Sequence, residues 1–335
     1  MQAWRITAPR NIEMYESKSG EVTSPELVRV KIEMSAVTHR DLSLYKKGAS
    51  SPIIPGRLAA GVISEAHPDD TFFTKSERVV IDPVIPCGKC IECRTGHSNH
   101  CPKKTVLGLN HDGLHTDFIT LPVDAVHKLP PTVSFETALF TEYIAIALNA
   151  LDKIDIKKGD HVAILAANKL GYVIAQLVAY YQAIPVVIDV DDVMLAYSKE
   201  AGVPYIFNPD KTNVRDEVVS ITGGRLCEKV IYLTNTPKSI NTALSVCAYN
   251  GIICAVGYEE ADVQADFAEI CKKQLTICTM DSGTGAFSSA INLLATKAVK
   301  IQDMLAETVA FDNLGKVYEE TDSSELIFKT IPVKV

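Results

Sequence analysis

Apolar and polar positions along this chain follow two different rhythms, one before about Thr141 and one after it. In the first stretch, short apolar runs at Glu26–Ile32, Ala59–Ser64 and Arg78–Ile81 are separated by proline and glycine. That pattern predicts strands joined by turns. After Thr141, apolar runs of five or six residues alternate with segments of helical period. His161–Leu165 reads as a buried strand, Leu170–Tyr181 as a helix, Val186–Asp189 as a second strand and Val193–Ala201 as a second helix. Val230–Leu233 and Gly251–Val256 continue the series. Alternation of this kind implies a parallel sheet with helices on both faces. The tail after Asp281 returns to a mixed pattern and is expected to rejoin the first domain. The expected division is 1–142 plus 281–335 for the β-rich domain and 143–280 for the α/β domain.

Length supports that division, because 335 residues exceed what one ordinary hydrophobic core accommodates. The net charge of −8 argues against nucleic acid as the main partner, since phosphate binding needs a basic footprint. No apolar run approaches the roughly 20 residues that cross a bilayer. The opening Met1-Gln2-Ala3-Trp4-Arg5 lacks the basic start and apolar stretch of a signal peptide. A cytoplasmic protein without membrane partners is the expectation.

The nine cysteines change the picture further. Cys227, Cys247, Cys254, Cys271 and Cys278 fall mainly in apolar stretches and read as small buried hydrophobes. The other four follow the spacing Cys87-x2-Cys90-x2-Cys93-x7-Cys101. Two-residue gaps let successive thiolates converge on one tetrahedral ion, and Gly88 and Gly96 permit the tight turns between them. Four thiolates leave no open coordination position. One structural Zn²⁺ is therefore expected here, against the alternatives of free thiols or disulfides formed on oxidation. His97 and His100 lie nearby but are not needed as ligands.

A second candidate site follows the strand His161–Leu165. A Rossmann-type turn has the form Gly-x-Gly-x-x-Gly between strand and helix, with an acid ending the next strand. Here the turn is Ala166-Ala167-Asn168-Lys169-Leu170-Gly171, and only the third glycine is present. Asn168 tolerates unusual backbone better than most residues, yet it carries atoms where a pyrophosphate would approach. Lys169 adds positive charge near a helix N-terminus, which favours an anion. Asp189 lies 23 residues after Ala166 and is placed to accept from an adenosine ribose. An acid there favours NAD(H) over NADP(H), whose 2′-phosphate it would repel. The alternative is an α/β scaffold that no longer binds nucleotide.

These two features in this order resemble the zinc-containing alcohol dehydrogenases of the medium-chain dehydrogenase/reductase family. Pro55-Gly56, the segment Gly108-Leu109-Asn110-His111-Asp112-Gly113, Glu142 and Gly159-Asp160 add to the resemblance, which spans essentially the whole chain. It implies an α/β protein. A GroES-like β-rich domain is completed by the C-terminal segment, and a Rossmann domain, a doubly wound parallel sheet, carries NAD or NADP. It also implies a small-molecule substrate and a homo-oligomer, dimer or tetramer.

The family's catalytic zinc is held by a Cys opening a Cys-x-Thr/Ser-Asp motif, by the His and often the Glu of Gly-His-Glu, and by a later Cys or Glu. This chain reads Thr38-His39-Arg40-Asp41 at the first motif and Gly56-Arg57-Leu58 at the second, with Glu142 at the later position. Thr38 replaces the thiolate, and Arg57 brings a permanent positive charge where the ion would sit. No catalytic zinc is expected; instead Arg57 and Glu142 are expected to form an ion pair. Arg40 stands at the family's proton-relay position, and His39 at one that often contacts the cofactor pyrophosphate.

Without that metal, a carbonyl loses its Lewis acid and ordinary alcohol oxidation is disfavoured. One reading is a zinc-independent reductase passing hydride to an activated C=C or C=O bond. Arg57, Arg40 or Tyr143 would then stabilise the developing negative charge. The alternatives are a nucleotide- or ligand-binding homologue without chemistry, and a partner-binding subunit.

Overall fold

The computed structural model describes residues 1–16, 20–233, 237–257 and 264–335. They divide into two compact units. One comprises Met1–Glu142, Phe287–Lys297 and Ile301–Val335; the other comprises Tyr143–Ala286 and Ala298–Lys300.

The first unit is built on a seven-stranded sheet. Its longest strand, Leu27–Val37, pairs antiparallel with Leu58–Ala66, with Phe118–Pro122 and with the C-terminal strand Ile331–Lys334. Alternate residues of the long strand, Val28, Val30 and Ile32, are buried together with Ile63, Val79, Ile81 and Leu121. Apolar burial at a spacing of two holds the register, because a slip of one residue would turn the whole set outward. A second apolar cluster joins the chain's two ends. Trp4 and Ile6 of the first strand pack with Phe311, Leu314 and Tyr318, and the Trp4 indole donates to the Phe311 carbonyl at 2.9 Å.

The second unit is a six-stranded, all-parallel sheet. Its strands are β1 (His161–Leu165), β2 (Ile184–Ile188), β3 (Tyr205–Phe207), β4 (Cys227–Tyr232), β5 (Cys247–Val256) and β6 (Thr276–Met280). They lie in the order β3-β2-β1-β4-β5-β6. Strand order reverses at β1, the switch point beside which doubly wound folds bind ligands. β1 is wholly buried, and so is most of the helix after it up to Val178. That explains why β1 reads as a continuous apolar run and not as an alternation.

Residues 281–286, expected with the β-rich domain, pack instead with the second unit. The Asn149 amide donates to the carbonyls of Ser282 and Thr284 at 3.0 and 3.1 Å. At Gly283 a Cβ would lie 2.7 Å from that of Ala145, so the segment passes flush against the helix Thr141–Lys153. Among the scattered cysteines, Cys227, Cys247 and Cys254 are buried as expected of small hydrophobes, while Cys278 is only half-buried. Cys271 is exposed, on the outer face of the helix Phe267–Lys273, and departs from that reading. The same helix contributes the buried Lys273, whose ammonium donates to the carbonyls of Leu244, Ser245 and Cys247 at 2.6, 3.2 and 2.9 Å. It thereby satisfies the carboxyl end of the helix Pro237–Val246.

Candidate functional site

The four clustered cysteines converge in the first unit. Their sulfurs all lie within 4.8 Å of one another. Cys90 Sγ is 3.4 Å from Cys93 Sγ and 3.8 Å from Cys101 Sγ, and Cys87 Sγ is 4.0 Å from Cys93 Sγ. Four sulfurs around a tetrahedral zinc at about 2.3 Å stand about 3.8 Å apart, so the donor set fits that ion. Backbone amides of Lys89 and Cys90 pull the Cys87 thiol down to about 6. Loss of solvent, with the neighbouring sulfurs, pushes Cys93 up to about 12. Cys87 and Cys93 are thus pushed in opposite directions, a conflict that a bound cation removes.

A second site forms where the resemblance places catalytic zinc. Thr38 precedes the helix His39–Lys47, and the buried Asp41 in its first turn accepts from the Thr38 amide at 2.8 Å and hydroxyl at 2.5 Å. The other Asp41 oxygen accepts the Gly56 amide at 3.1 Å. One carboxylate thus ties the helix start to the turn that carries Arg57. The turn is tight: at Gly113 a Cβ would fall 2.3 Å from the Gly56 carbonyl oxygen, so no larger residue fits there. Arg57 Nη2 donates to Glu142 Oε1, with both side chains about nine-tenths buried. Glu142 lies in the first turn of the helix Thr141–Lys153, where the helix dipole favours its charge.

The other candidates diverge from this pair. The Thr38 hydroxyl is taken up by Asp41. His39 and Arg40 are exposed on the first helical turn. Tyr143 belongs to the second unit, where the Lys169 ammonium lies 5.6 Å from its ring centroid, a cation–π contact.

Sequence reasoning missed Asp82, which follows the strand Arg78–Ile81 and is 7% exposed. One of its oxygens accepts the Val84 amide at 2.9 Å. Burial pushes its carboxyl up to about 7, opposed by the Val84 amide, reinforced by Glu142 and opposed by Arg57. Asp82 is therefore an electrostatic neighbour of the ion pair. The only sequence signal was an acid placed directly after a buried apolar run.

In the second unit, the turn Ala166–Gly171 keeps the backbone of a glycine-rich loop without most of its glycines. Ala166 has φ +122°, a region that a side chain disfavours. At Gly171 a Cβ would fall 1.9 Å from the Ala166 carbonyl oxygen, so helix and strand meet there as the third glycine allows. Asn168 caps the helix Lys169–Tyr180, its side-chain oxygen accepting the Gly171 amide at 3.0 Å. Lys169 is buried, and Leu170 half-buried, in the first helical turn. Asp189 directly follows β2 and accepts from the Ala167 amide at 2.6 Å and the Asp191 amide at 2.9 Å. Backbone shape and acid position fit a dinucleotide; the Asn168 side chain is the one group added to the cradle.

Comparisons with known proteins agree with this architecture. Residues 24–131 match the family described as alcohol dehydrogenase GroES-like domain, and residues 170–296 match zinc-binding dehydrogenase. An uncharacterized zinc-type alcohol dehydrogenase-like protein of Haemophilus influenzae is 26% identical over 313 residues, covering 92% of this chain and 91% of that protein. An Escherichia coli oxidoreductase/dehydrogenase of unknown specificity superposes with a TM-score of 0.92 at 20% identity, over 99% of this chain and 98% of that one. An E. coli alcohol dehydrogenase solved with NADH gives 0.90 at 23%, over 100% and 99%. With both family descriptions matched in order and the two folds in place, the chain belongs to the medium-chain dehydrogenase/reductases, a family of oxidoreductases.

Proposed function

We propose that the protein is an NAD(P)(H)-dependent oxidoreductase that works without catalytic zinc, on an activated C=C or C=O bond of a small molecule. The observation that carries this reading is the Arg57–Glu142 pair, which puts a guanidinium at the position of a zinc-binding imidazole. A nicotinamide, when bound, supplies the hydride. Arg57 offers fixed N–H donors to negative charge developing on a substrate oxygen, and Glu142 orients them. Asp189 and the turn Ala166–Gly171 would hold the nucleotide, with Asp189 favouring NADH over NADPH. Zinc at Cys87, Cys90, Cys93 and Cys101 holds the lobe together and takes no part in the chemistry.

Among the described residues no helix is long and apolar enough to cross a membrane. We place the protein in the cytoplasm as a homo-oligomer. The edge strand β6, with Ile277 exposed, offers unpaired backbone groups to a second copy.

A non-catalytic reading is favoured by the internal use of the Thr38 hydroxyl and the Asn168 side chain. Calorimetric titration with NADH and NADPH, with zinc counted on the same sample, separates the two. The oxidoreductase reading expects one zinc per chain, measurable NADH binding and weaker NADPH binding. Asp189→Ser should narrow the gap between the cofactors. No binding of either at millimolar concentration moves the protein to the non-catalytic class.

A further inference from the structure

Two amides of the turn Ala166–Gly171 are met by side chains of the chain itself. The Gly171 amide goes to Asn168, and the Ala167 amide goes to Asp189. These two acceptors differ in their relation to a dinucleotide. Asp189 stands at the end of β2, where a ribose hydroxyl can still share its remaining lone pairs. Asn168 stands at the second position of the turn, where a glycine ordinarily leaves the backbone open to the pyrophosphate. Its side chain is instead folded back over the helix N-terminus, held by the 3.0 Å bond to Gly171.

From this geometry we infer that Asn168 sets the affinity of the protein for dinucleotide, by acting as an internal occupant that a pyrophosphate must displace. The inference rests on the nucleotide-binding reading above and adds the residue that limits it. Binding exchanges one hydrogen bond for others: the Asn168 oxygen releases the Gly171 amide, and the side chain leaves the face that the phosphates approach. The strained Ala166 contributes shape alone, since its backbone already takes the course a glycine would follow. Asn168 therefore carries the cost of binding.

Two substitutions separate its roles. Asn168→Gly removes the side chain while glycine remains a tolerable cap, so the melting temperature without ligand should fall slightly. Asn168→Asp keeps an equally good cap but aims a negative charge at the phosphates. Calorimetry and NADH fluorescence on the full chain should show Kd for NADH at least tenfold lower in the glycine variant, about 1.4 kcal/mol tighter. The aspartate variant should bind at least tenfold more weakly than the unmutated protein without losing thermal stability. If the unmutated protein binds NADH with a defined Kd and Asn168→Gly leaves it unchanged, the inference fails while the oxidoreductase reading stands. If none of the three proteins binds at millimolar NADH, both fail together.

Discussion

Arg57 and Glu142 lie 85 positions apart and meet as an ion pair, with side chains only 11% and 10% exposed. Loss of either partner strands a buried charge, whereas loss of both leaves only a polar gap. Arg57→Ala and Glu142→Ala should each destabilise the protein by about 3 kcal/mol, and the double variant by clearly less than the sum. Urea unfolding of the four proteins measures this; strictly additive losses would remove the pair from the account. The same pair predicts a conversion. Thr38→Cys combined with Arg57→His supplies a thiolate and an imidazole beside Glu142, and elemental analysis should then find two zinc ions per chain instead of one.

The cysteine lobe makes a separate prediction about metal. Purified protein should contain close to one zinc per chain, and Cys93→Ser should abolish it. The urea midpoint should fall with the metal, because binding energy at a four-thiolate site is folding energy. Two ions in the unmutated protein would restore a catalytic metal and contradict the Arg57 reading. None in gently purified protein would overturn the lobe.

Two buried groups should push the pH dependence of stability in opposite directions. Asp82 is raised from 3.8 to about 7 chiefly by burial, so the folded state holds its proton more tightly than the unfolded chain. Its contribution to stability is greatest below about pH 4 and is lost as pH rises towards 7. His115 is fully buried, packs edge-on to Tyr318 with ring centroids 6.0 Å apart, and shares a 3.0 Å hydrogen bond with Ser35. Burial lowers it from 6.5 to about 4, with the charge of Asp41 opposing. Its contribution is present above 6.5 and is lost as pH falls towards 4, because only the unfolded chain takes up the proton in that window. Asp82 is worth on the order of 4 kcal/mol and His115 on the order of 3, so the two slopes largely cancel in the unmutated protein. Asp82→Asn should expose a loss of stability on acidification from pH 6.5 to 4. His115→Gln should expose the reverse, a gain over the same range. Chemical denaturation at four or five pH values checks both, and unchanged slopes would show that neither group is held as described.

Much of this was legible because it is local. The cysteine spacing lies within fifteen residues, and the alternation of apolar runs with helical segments declares a parallel sheet from short windows. Other features depend on stretches that meet only in the fold. Asp82 acquires its environment chiefly from burial, with Glu142 and Arg57 as charged neighbours that no window of sequence unites with it. The Thr38 hydroxyl was free on paper and is bound to Asp41 in the fold. Asp189 reads as a ribose acceptor from its place at a strand end, but its bond to the Ala167 amide exists only once strand and turn are brought together in the fold. Residues 281–286 looked like the start of a new rhythm, yet two hydrogen bonds from Asn149 hold them in the second unit.

The interrupted first unit bears on how the chain is made. Trp4 finds its hydrogen-bond partner 307 positions later, and the strand Leu27–Val37 receives its neighbour Ile331–Lys334 about 300 residues after it is made. The second unit is continuous apart from Ala298–Lys300, so nearly all of it has emerged while the N-terminal sheet still lacks a strand. During synthesis the earlier half must wait for the later one, with the apolar face of Trp4, Ile6 and Val37 open until Phe311, Leu314, Tyr318 and Val333 have been made. Damage to the segment Val309–Lys334 is therefore felt first at Trp4, Ile6 and Val37.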